Sequence, residues 1–405
     1  MTHSIKTQGH GEKDRTMKRK TPLSYIEISK ANLIHNFKQF KNLAKKGTKF
    51  AVVVKGNAYG HGQNEIVKIL NPHTDYFFVD GLEELQLLRK VSQKKTFVFG
   101  YVQKQDLLQV IRLGCILAVF SIEQLTAISV FAKRANLIQK IHIPIDALLG
   151  REGFLFDELI ELFRKIKSLE NIKLSGIYAH FANIEDARLT EESFLRIKNK
   201  THAYKQINRY FQALELAENF GFKNLQTHIS STSGLLAYEK GKGIHSIIRL
   251  GIGIYGMWPS TYLKSKYKNS NFILKPVLSW KTKIVQIKIL PPLSTIGYGL
   301  TYHTKKETKI ALIPQGYADG LDRRLSNKGA VLIAGTRCKI LGRISMNMCI
   351  VDINHLKNIK PEEEVVILGY QGKEEITAEE IAKKIGTINY EITTRISPLL
   401  PRVVV

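Results

Sequence analysis

Eight short runs of β-branched and aromatic residues recur between residues 49 and 250, with segments of helical periodicity between them. Strands that alternate with helices predict a parallel sheet covered by those helices, and eight such units predict a (β/α)8 TIM barrel, an α/β fold. The predicted strands are 49–54, 76–79, 96–99, 116–120, 140–145, 174–178, 225–229 and 247–250.

The rest of the chain predicts a second domain of mainly β structure. At 405 residues the chain exceeds the roughly 250 to 300 residues at which single cores stop growing. We place the barrel at 21–258 and the β domain at 259–405, with a linker near 258–271. The predicted elements there are strands 278–289, 309–313, 330–333 and 364–368 and one helix, 378–384. An earlier strand, 24–28, belongs either to the barrel or to the β domain, and Ser29 is placed to cap the helix that follows it.

Composition excludes some classes of protein. The longest apolar runs, such as 115–120, are far shorter than the roughly 20 residues of a membrane helix. The net charge is +26, but the lysines are spread out and no nucleic-acid motif accompanies them, so we expect no specific nucleic-acid partner. Three scattered cysteines predict neither a disulfide framework nor a metal site and favour a cytoplasmic location.

The N-terminus differs from the rest of the chain. Residues 1–20 are basic and have no apolar segment of the kind found in secretory signals, so we predict a disordered tail. Met17, which directly precedes the first strand-like region, is an alternative translation start.

Lys55 stands at the end of the first predicted barrel strand, before a loop with three glycines. The carboxyl ends of the strands carry the chemistry in barrel enzymes. A lysine there loses solvation and tends to lose its proton, which makes it a candidate for a Schiff base with a carbonyl cofactor. From strand and glycines alone, a surface lysine next to a core strand explains the pattern equally well.

The full motif, Val-Val-Lys-Gly-Asn-Ala-Tyr-Gly-His-Gly, resembles the pyridoxal-phosphate lysine motif of alanine racemases, which are fold type III enzymes. The resemblance covers about residues 22 to 403. A second motif, Thr-Ile-Gly-Tyr-Gly-Leu-Thr-Tyr, resembles the family's other catalytic motif and contains Tyr298. The resemblance implies that Lys55 holds pyridoxal 5'-phosphate as an imine and acts as a base on one face of Cα. It also implies that Tyr298 acts on the opposite face in the neighbouring subunit of a homodimer with shared active sites.

Further motifs resemble the family's cofactor site. Arg249 matches the arginine that donates to the ring nitrogen, and since an arginine keeps its proton, that nitrogen stays unprotonated. His228 matches the histidine that contacts this arginine, and His180 a histidine near the cofactor and Tyr298. By the same resemblance, the phosphate is bound by Tyr59, Thr232, Gly251, Ile252 and Tyr390. The family usually has a serine at position 232, and threonine retains the hydroxyl.

The resemblance also assigns the substrate. Arg151 and Met346 match the residues that meet the substrate carboxylate, while Tyr317, Arg343 and Ile388 match the lining of the entrance. Three places depart from the family pattern, and at one of them Ala147, Leu148 and Leu149 stand where the family commonly has Thr-Gly-Met. Pro144 stands where a carbamylated lysine commonly fixes the arginine, so we expect no carbamate and another anchor for Arg151. Asn347 replaces a common aspartate near the entrance.

These residues together predict an alanine racemase that supplies D-alanine for peptidoglycan. Pro144 and Asn347 leave a serine or broad-specificity amino-acid racemase as the alternative. A decarboxylase of related fold is disfavoured, because Arg249 stands where such enzymes use a carboxylate. A non-catalytic pyridoxal-phosphate carrier would resemble the barrel alone, whereas this chain also has the β domain with Tyr298.

Overall fold

The computed structural model describes residues 22–184 and 201–405, so the predicted tail 1–20 and Met17 lie outside the described residues. Eight parallel strands form a nearly closed barrel, and they are the eight predicted ones. The strands Gln226–His228 and Ile247–Leu250 stand at the two ends of the strand order, and a backbone hydrogen bond of 3.1 Å from the amide of Arg249 to the oxygen of Ser230 bridges the gap between them. The strands are Lys49–Val53, Tyr76–Val79, Thr96–Val98, Ile116–Ala118, Gln139–Pro144, Ile172–Tyr178, Gln226–His228 and Ile247–Leu250.

Amphipathic helices cover the outside of the barrel. Ser29 caps the first of them as predicted, since its hydroxyl accepts a hydrogen bond from the Asn32 amide, and Leu33, Phe37 and Phe40 of that helix are buried. No helix within 22–184 or 201–405 is long and apolar enough to cross a membrane. The main helices are Lys30–Leu43, Gln63–Leu70, Leu82–Arg89, Leu107–Arg112, Ile122–Arg134, Leu159–Lys167 and His202–Asn219.

The interior of the barrel is filled largely by aromatic side chains. Tyr76, Phe97, Phe99 and Tyr178 belong to one buried cluster inside the sheet. In the strand register Tyr178 lies between Pro144 and His228, so these three residues are neighbours on adjacent strands. This aromatic packing fills much of the barrel interior, and the buried polar side chains of His142 and His228 lie against it.

The second domain is built on a mostly antiparallel sheet that runs from Gln286–Leu290 at one edge to Arg402–Val404 at the other. Tyr25–Ile28 lies in this sheet, antiparallel to Leu278–Lys283 and parallel to Arg402–Val404, so the position of the first strand is now determined. The other strands of the domain are Thr295–Ile296, Tyr302–His303, Thr308–Ile313, Ala330–Ile333, Thr336–Leu341, Cys349–Asp352, Glu364–Gln371 and Glu374–Ile376.

The predicted elements of the β domain are present, but the pattern missed several others. The predicted strand 278–289 is two strands, and the predicted helix extends over Ala378–Ile385. The expected linker contains a short helix, Thr261–Lys266, and the sequence analysis also missed the helix Asn389–Thr394. The latter helix packs against the segment that carries Lys55, so it bears directly on the site.

Candidate active site

A cavity of about 290 Å³ opens at the carboxyl ends of the barrel strands, where the barrel fold places its chemistry. Side chains from most of the barrel strands and from the helix Asn389–Thr394 of the β domain converge on it. Nine of the residues predicted from the sequence line this one cavity, namely Lys55, Tyr59, Arg151, His180, Thr232, Arg249, Gly251, Ile252 and Tyr390.

The segment that carries Lys55 has an unusual backbone. Directly after Lys55, the residues Gly56, Asn57, Ala58 and Tyr59 have φ values of 61°, 52°, 54° and 54°, which is a turn of left-handed helix. Such a turn costs roughly 1–2 kcal/mol for each non-glycine residue and persists only where the surroundings enforce it. It places the amine of Lys55 and the phenol of Tyr59 on the same cavity.

The helix Asn389–Thr394 holds this turn in place. A Cβ atom on Gly60 would lie 1.9 Å from the backbone oxygen of Thr393, so the turn and the helix are in direct backbone contact. The same helix brings the ring of Tyr390 to 6.1 Å from the ring of Tyr59. The β domain therefore both supports the lysine segment and contributes a side chain to the cavity.

Lys55 is paired with a carboxylate in this state. Its Nζ lies 3.1 Å from Oδ1 of Asp80, and both side chains are about half exposed. Glu84 accepts hydrogen bonds from the backbone amides of Gly56 and Asp80, which ties the two cavity loops together. Burial raises the pKa of the Glu84 carboxyl, and the hydrogen bonds from the two amides act in the opposite direction.

Arg249 is buried beneath the cavity, and most of its donors are already used. Its Nη1 donates to Nδ1 and to the backbone oxygen of His228, at 2.5 and 3.1 Å. Its Nη2 donates to the backbone oxygens of Ala179 and Ile229 and, at 3.0 Å, to Nδ1 of His180. Among the described residues, none accepts a hydrogen bond from Nε, so this N–H is the donor that remains for a ligand.

The charge states around Arg249 follow from burial. Burial lowers the pKa of Arg249 to about 10, which still leaves it protonated at neutral pH. Burial, and next the charge of Arg249, lower the pKa of His180 to about 3. A neutral His180 that accepts at Nδ1 carries its proton on Nε2. The contact between His228 and Arg249 that the resemblance implied is present.

Hydroxyl groups and amides form the other wall of the cavity. The hydroxyl of Thr232 accepts hydrogen bonds from the backbone amides of Gly251 and Gly253, at 3.2 and 3.4 Å. A Cβ on Gly251 would lie 2.8 Å from the Tyr59 hydroxyl, so only glycine leaves room for that phenol. Burial raises the pKa of Tyr59 to about 12, so the phenol stays a donor. Hydroxyls and amides of this kind suit the oxygens of a phosphate group.

Arg151 has a close acidic neighbour. Its Nε and Nη2 donate to the two carboxylate oxygens of Glu152, and the Nη2 bond is 2.7 Å long. The hydrogen bond to Glu152 raises the pKa of Arg151. Pro144, the last residue of its barrel strand, has neither a donor nor an acceptor in its side chain. In this chain the neighbour that orients Arg151 is therefore Glu152.

The predicted residues of the β domain other than Tyr390 do not line the cavity of their own chain, and they are Tyr298, Tyr317, Arg343, Met346, Asn347 and Ile388. Tyr298 lies in the turn of the hairpin formed by Thr295–Ile296 and Tyr302–His303, and 71% of it is exposed. A Cβ on Gly299 would lie 2.5 Å from Nη1 of Arg343, so Arg343 flanks this turn. Tyr317, Met346, Asn347 and Ile388 are also exposed.

Two charged residues of the cavity, Asp80 and Glu152, were not predicted from the sequence. Asp80 directly follows the strand Tyr76–Val79, which is the same signal that identified Lys55. A strand-by-strand search of the residues after each carboxyl end would have found it. Glu152 lies in a loop after the strand Gln139–Pro144, and its contact with Arg151 is visible only in three dimensions.

Comparison with known proteins covers both domains. Residues 28–259 match the family model described as the N-terminal domain of alanine racemase, and residues 277–404 match that of its C-terminal domain. The chain is 34% identical over 388 residues to alanine racemase from Leptospira interrogans, which covers 94% of this chain and 96% of the relative. It is 33% identical over 383 residues to that of Methanococcus maripaludis, covering 94% and 98%. The structure of alanine racemase from Clostridium difficile superposes with a TM-score of 0.85 at 31% identity, covering 95% of this chain and 96% of that one.

Proposed function

The chain belongs to the alanine racemase family of isomerases, and we propose that it interconverts L- and D-alanine with pyridoxal 5'-phosphate, using Lys55 and Tyr298 as its two bases. The observation that carries this proposal is the convergence of Lys55 and Arg249 on one cavity whose other wall consists of hydroxyls and amides. The amine of Lys55 matches the aldehyde of the cofactor, and the cation of Arg249 matches its ring nitrogen. The hydroxyls and amides match its phosphate.

In this proposal each end of the cofactor has its own residues. Lys55 would hold the aldehyde carbon, and Arg249 would donate from Nε to the ring nitrogen. The phosphate would be bound by Tyr59, Thr232, Gly251, Ile252 and Tyr390. When bound, pyridoxal phosphate supplies an electron sink that acidifies the Cα–H bond of an attached amino acid. Arg249 would donate a hydrogen bond to the ring nitrogen but would not transfer its proton, because its guanidinium stays charged. This favours simple return of the proton to Cα.

The substrate carboxylate would be bound by Arg151, with Glu152 as the residue that holds the guanidinium in place. Two hydrogen bonds between the charged groups support this role. Because position 144 is a proline, we infer that no carbamylated lysine takes part, and density for a modified lysine bonded to Arg151 would contradict this. The backbone amide of Met346 would complete the carboxylate site from the β domain.

The second base would come from another copy of the chain. Racemisation needs one group that removes a proton from one face of Cα and another that returns a proton to the opposite face. Lys55 serves one face. Tyr298 is exposed and outside its own cavity, so a homodimer in which Tyr298 of the partner subunit enters the cavity supplies the other. His180, with its proton on Nε2, would then be a donor for that phenol.

The D-alanine formed in this way would serve peptidoglycan synthesis in the cytoplasm of a bacterium. The second candidate is a racemase for serine or for several amino acids. Asn347 favours it, because this exposed amide lies next to Met346 and removes the negative charge of the family's common aspartate from the entrance. A non-catalytic cofactor carrier is disfavoured by the presence of the β domain with Tyr298.

Incubation of the cofactor-loaded protein with L-alanine in heavy water tests the proposal. We expect D-alanine and deuterium at Cα, detected by chiral chromatography and mass spectrometry. The absence of both would overturn the proposal. The same assay across the common amino acids identifies the preferred substrate, and a higher kcat/KM for serine than for alanine would replace the first candidate with the second.

A further inference from the structure

A row of hydrogen-bonded side chains crosses the barrel interior below the cavity. Nδ1 of His142 lies 2.9 Å from Nε2 of His228, and Nδ1 of His228 lies 2.5 Å from Nη1 of Arg249. Both histidines are completely buried, and Arg249 is 5% exposed. His142 lies on the strand Gln139–Pro144, does not line the cavity and has no role in the proposed chemistry described above.

Arg249 determines which atoms donate and which accept along this row. An arginine can only donate, so Nδ1 of His228 must accept. Burial lowers the pKa of His142 to about 3 and that of His228 well below its usual value, so both rings are neutral and carry one proton each. The proton of His228 is therefore on Nε2 and is donated to Nδ1 of His142. By the same reasoning, the proton of His142 is on its own Nε2.

The far end of the row is at Gln226. Gln226 is a polar neighbour of His142 there, but Nε2 of His142 and Oε1 of Gln226 are both buried and each lacks a hydrogen-bond partner within the described residues. A Cβ on Gly176 would lie 2.5 Å from Nε2 of His142 and 2.6 Å from the backbone oxygen of Gln226, so this glycine makes room for the junction. The Gln226 side chain in turn donates to the hydroxyl of Tyr76 at 2.6 Å.

Packing prevents the His228 ring from changing its orientation. The ring of Tyr178 is stacked on it at 5.2 Å with an angle of 4° between the planes, and the ring of Phe99 lies at 5.7 Å and 13°. The position of the proton is then the remaining freedom of His228. If that proton moved to Nδ1, an N–H of the ring would face an N–H of Arg249.

We propose that His142 is a positioning residue for Arg249. By accepting the proton of His228, it keeps His228 in the tautomer that accepts from Arg249, which fixes the guanidinium and leaves its Nε–H as the donor for the cavity. The nature of the ligand at that N–H rests on the proposed function, whereas the row of side chains itself does not. His142 contacts neither cofactor nor substrate, so it acts only through His228 and Arg249.

Two variants of equal size separate the hydrogen bond from the packing. Asparagine in His142→Asn can present its carbonyl oxygen near the position of Nδ1, whereas leucine in His142→Leu has the same shape but no acceptor. We expect His142→Leu to bind pyridoxal phosphate about tenfold more weakly than His142→Asn, since a buried donor without a partner costs about 1–3 kcal/mol. Equal dissociation constants for the two variants would overturn the proposal.

Nitrogen-15 spectra of histidine-labelled protein without cofactor test the row independently of the proposed function. Wild-type protein at pH 7 should show His142 and His228 as neutral rings protonated at Nε2, with assignments taken from His142→Asn and His228→Asn. In His142→Leu the His228 signals should move toward the other tautomer or toward exchange between the two. A charged His228, a proton on its Nδ1 in the wild type, or unchanged His228 signals in His142→Leu would overturn the proposal. If the wild type failed to bind pyridoxal phosphate, only the proposed function would fail.

Discussion

The amine of Lys55 lies 3.1 Å from a carboxylate oxygen of Asp80. In the proposed function, Lys55 must leave this ion pair before its amine can attack the aldehyde of pyridoxal phosphate. We expect Asp80→Asn to raise the rate of pyridoxal-phosphate incorporation by up to about fivefold, which corresponds to the roughly 1 kcal/mol of an exposed ion pair. The growth of the visible absorbance after mixing with apoprotein measures this rate.

Salt provides the control for this experiment. High ionic strength screens an exposed pair, so it should accelerate incorporation in the wild type and have little effect in Asp80→Asn. If both proteins had the same rate and the same salt response, the ion pair would have no part in loading.

Glu152 should determine how well the substrate carboxylate is bound. In Glu152→Gln the bidentate partner of Arg151 is lost, and we expect KM for alanine to rise about threefold to tenfold with a smaller change in kcat. Glu152→Asp keeps the charge on a shorter side chain, so its KM should lie between those of the wild type and Glu152→Gln. Steady-state kinetics in both directions check this, and an unchanged KM in Glu152→Gln would mean that Arg151 is held by something else.

Shared active sites can be tested by mixing two inactive variants. If the sites are shared as proposed, Lys55→Ala and Tyr298→Phe each damage both sites of their own homodimer. A mixed dimer has one site with both substitutions and one intact site, so an equal mixture should regain about a quarter of wild-type activity through its mixed dimers. Activity of the mixture is measured after unfolding and refolding the two variants together. No recovery, despite mixed dimers detected by mass, would place both residues in the same subunit.

The buried histidines predict a specific loss of stability in acid. The pKa of His61 is lowered to about 4 and those of His142 and His180 to about 3, mainly by burial. The unfolded chain therefore binds more protons than the folded one between about pH 3 and 6.5, and the free energy of unfolding falls as the pH is lowered through this range.

The contribution of His142 to this proton uptake can be measured by replacing it. In His142→Asn the number of protons taken up on unfolding near pH 5 should be smaller by about one than in the wild type. Urea titrations at several pH values between 4.5 and 7 give the free energy of unfolding, and the slope of that free energy against pH gives the number of protons. Identical slopes would show that His142 is charged in the folded protein.

The sequence predicted the barrel well because its strands are buried on both faces and appear as continuous apolar runs. All eight of those runs are strands in the structure. The strand Thr336–Leu341 was missed because polar residues interrupt its apolar ones, whereas nothing comparable explains why Cys349–Asp352 was missed. The residues of the cavity could be identified from motifs, since Lys55, Arg249 and their neighbours stand at strand ends.

Contacts between distant strands could not be identified in this way. His142 and His228 are 86 residues apart, and their hydrogen bond depends on the register of Gln139–Pro144 and Gln226–His228 against the strand between them. The pairing of Lys55 with Asp80 likewise depends on how two loops lie on neighbouring strands. Such contacts follow from register, which a single sequence does not specify residue by residue.

The strand Tyr25–Ile28 has a consequence for the synthesis of the chain. It is synthesised before every barrel strand, yet one neighbour, Arg402–Val404, is synthesised after all of them. At about 5–20 residues per second, the first strand waits roughly 20 to 75 seconds for that neighbour. The turn after Lys55 also depends on a late segment, Asn389–Thr394. All eight barrel strands are therefore synthesised before the helix that supports the lysine loop, so the cavity can be complete only after that helix has been made.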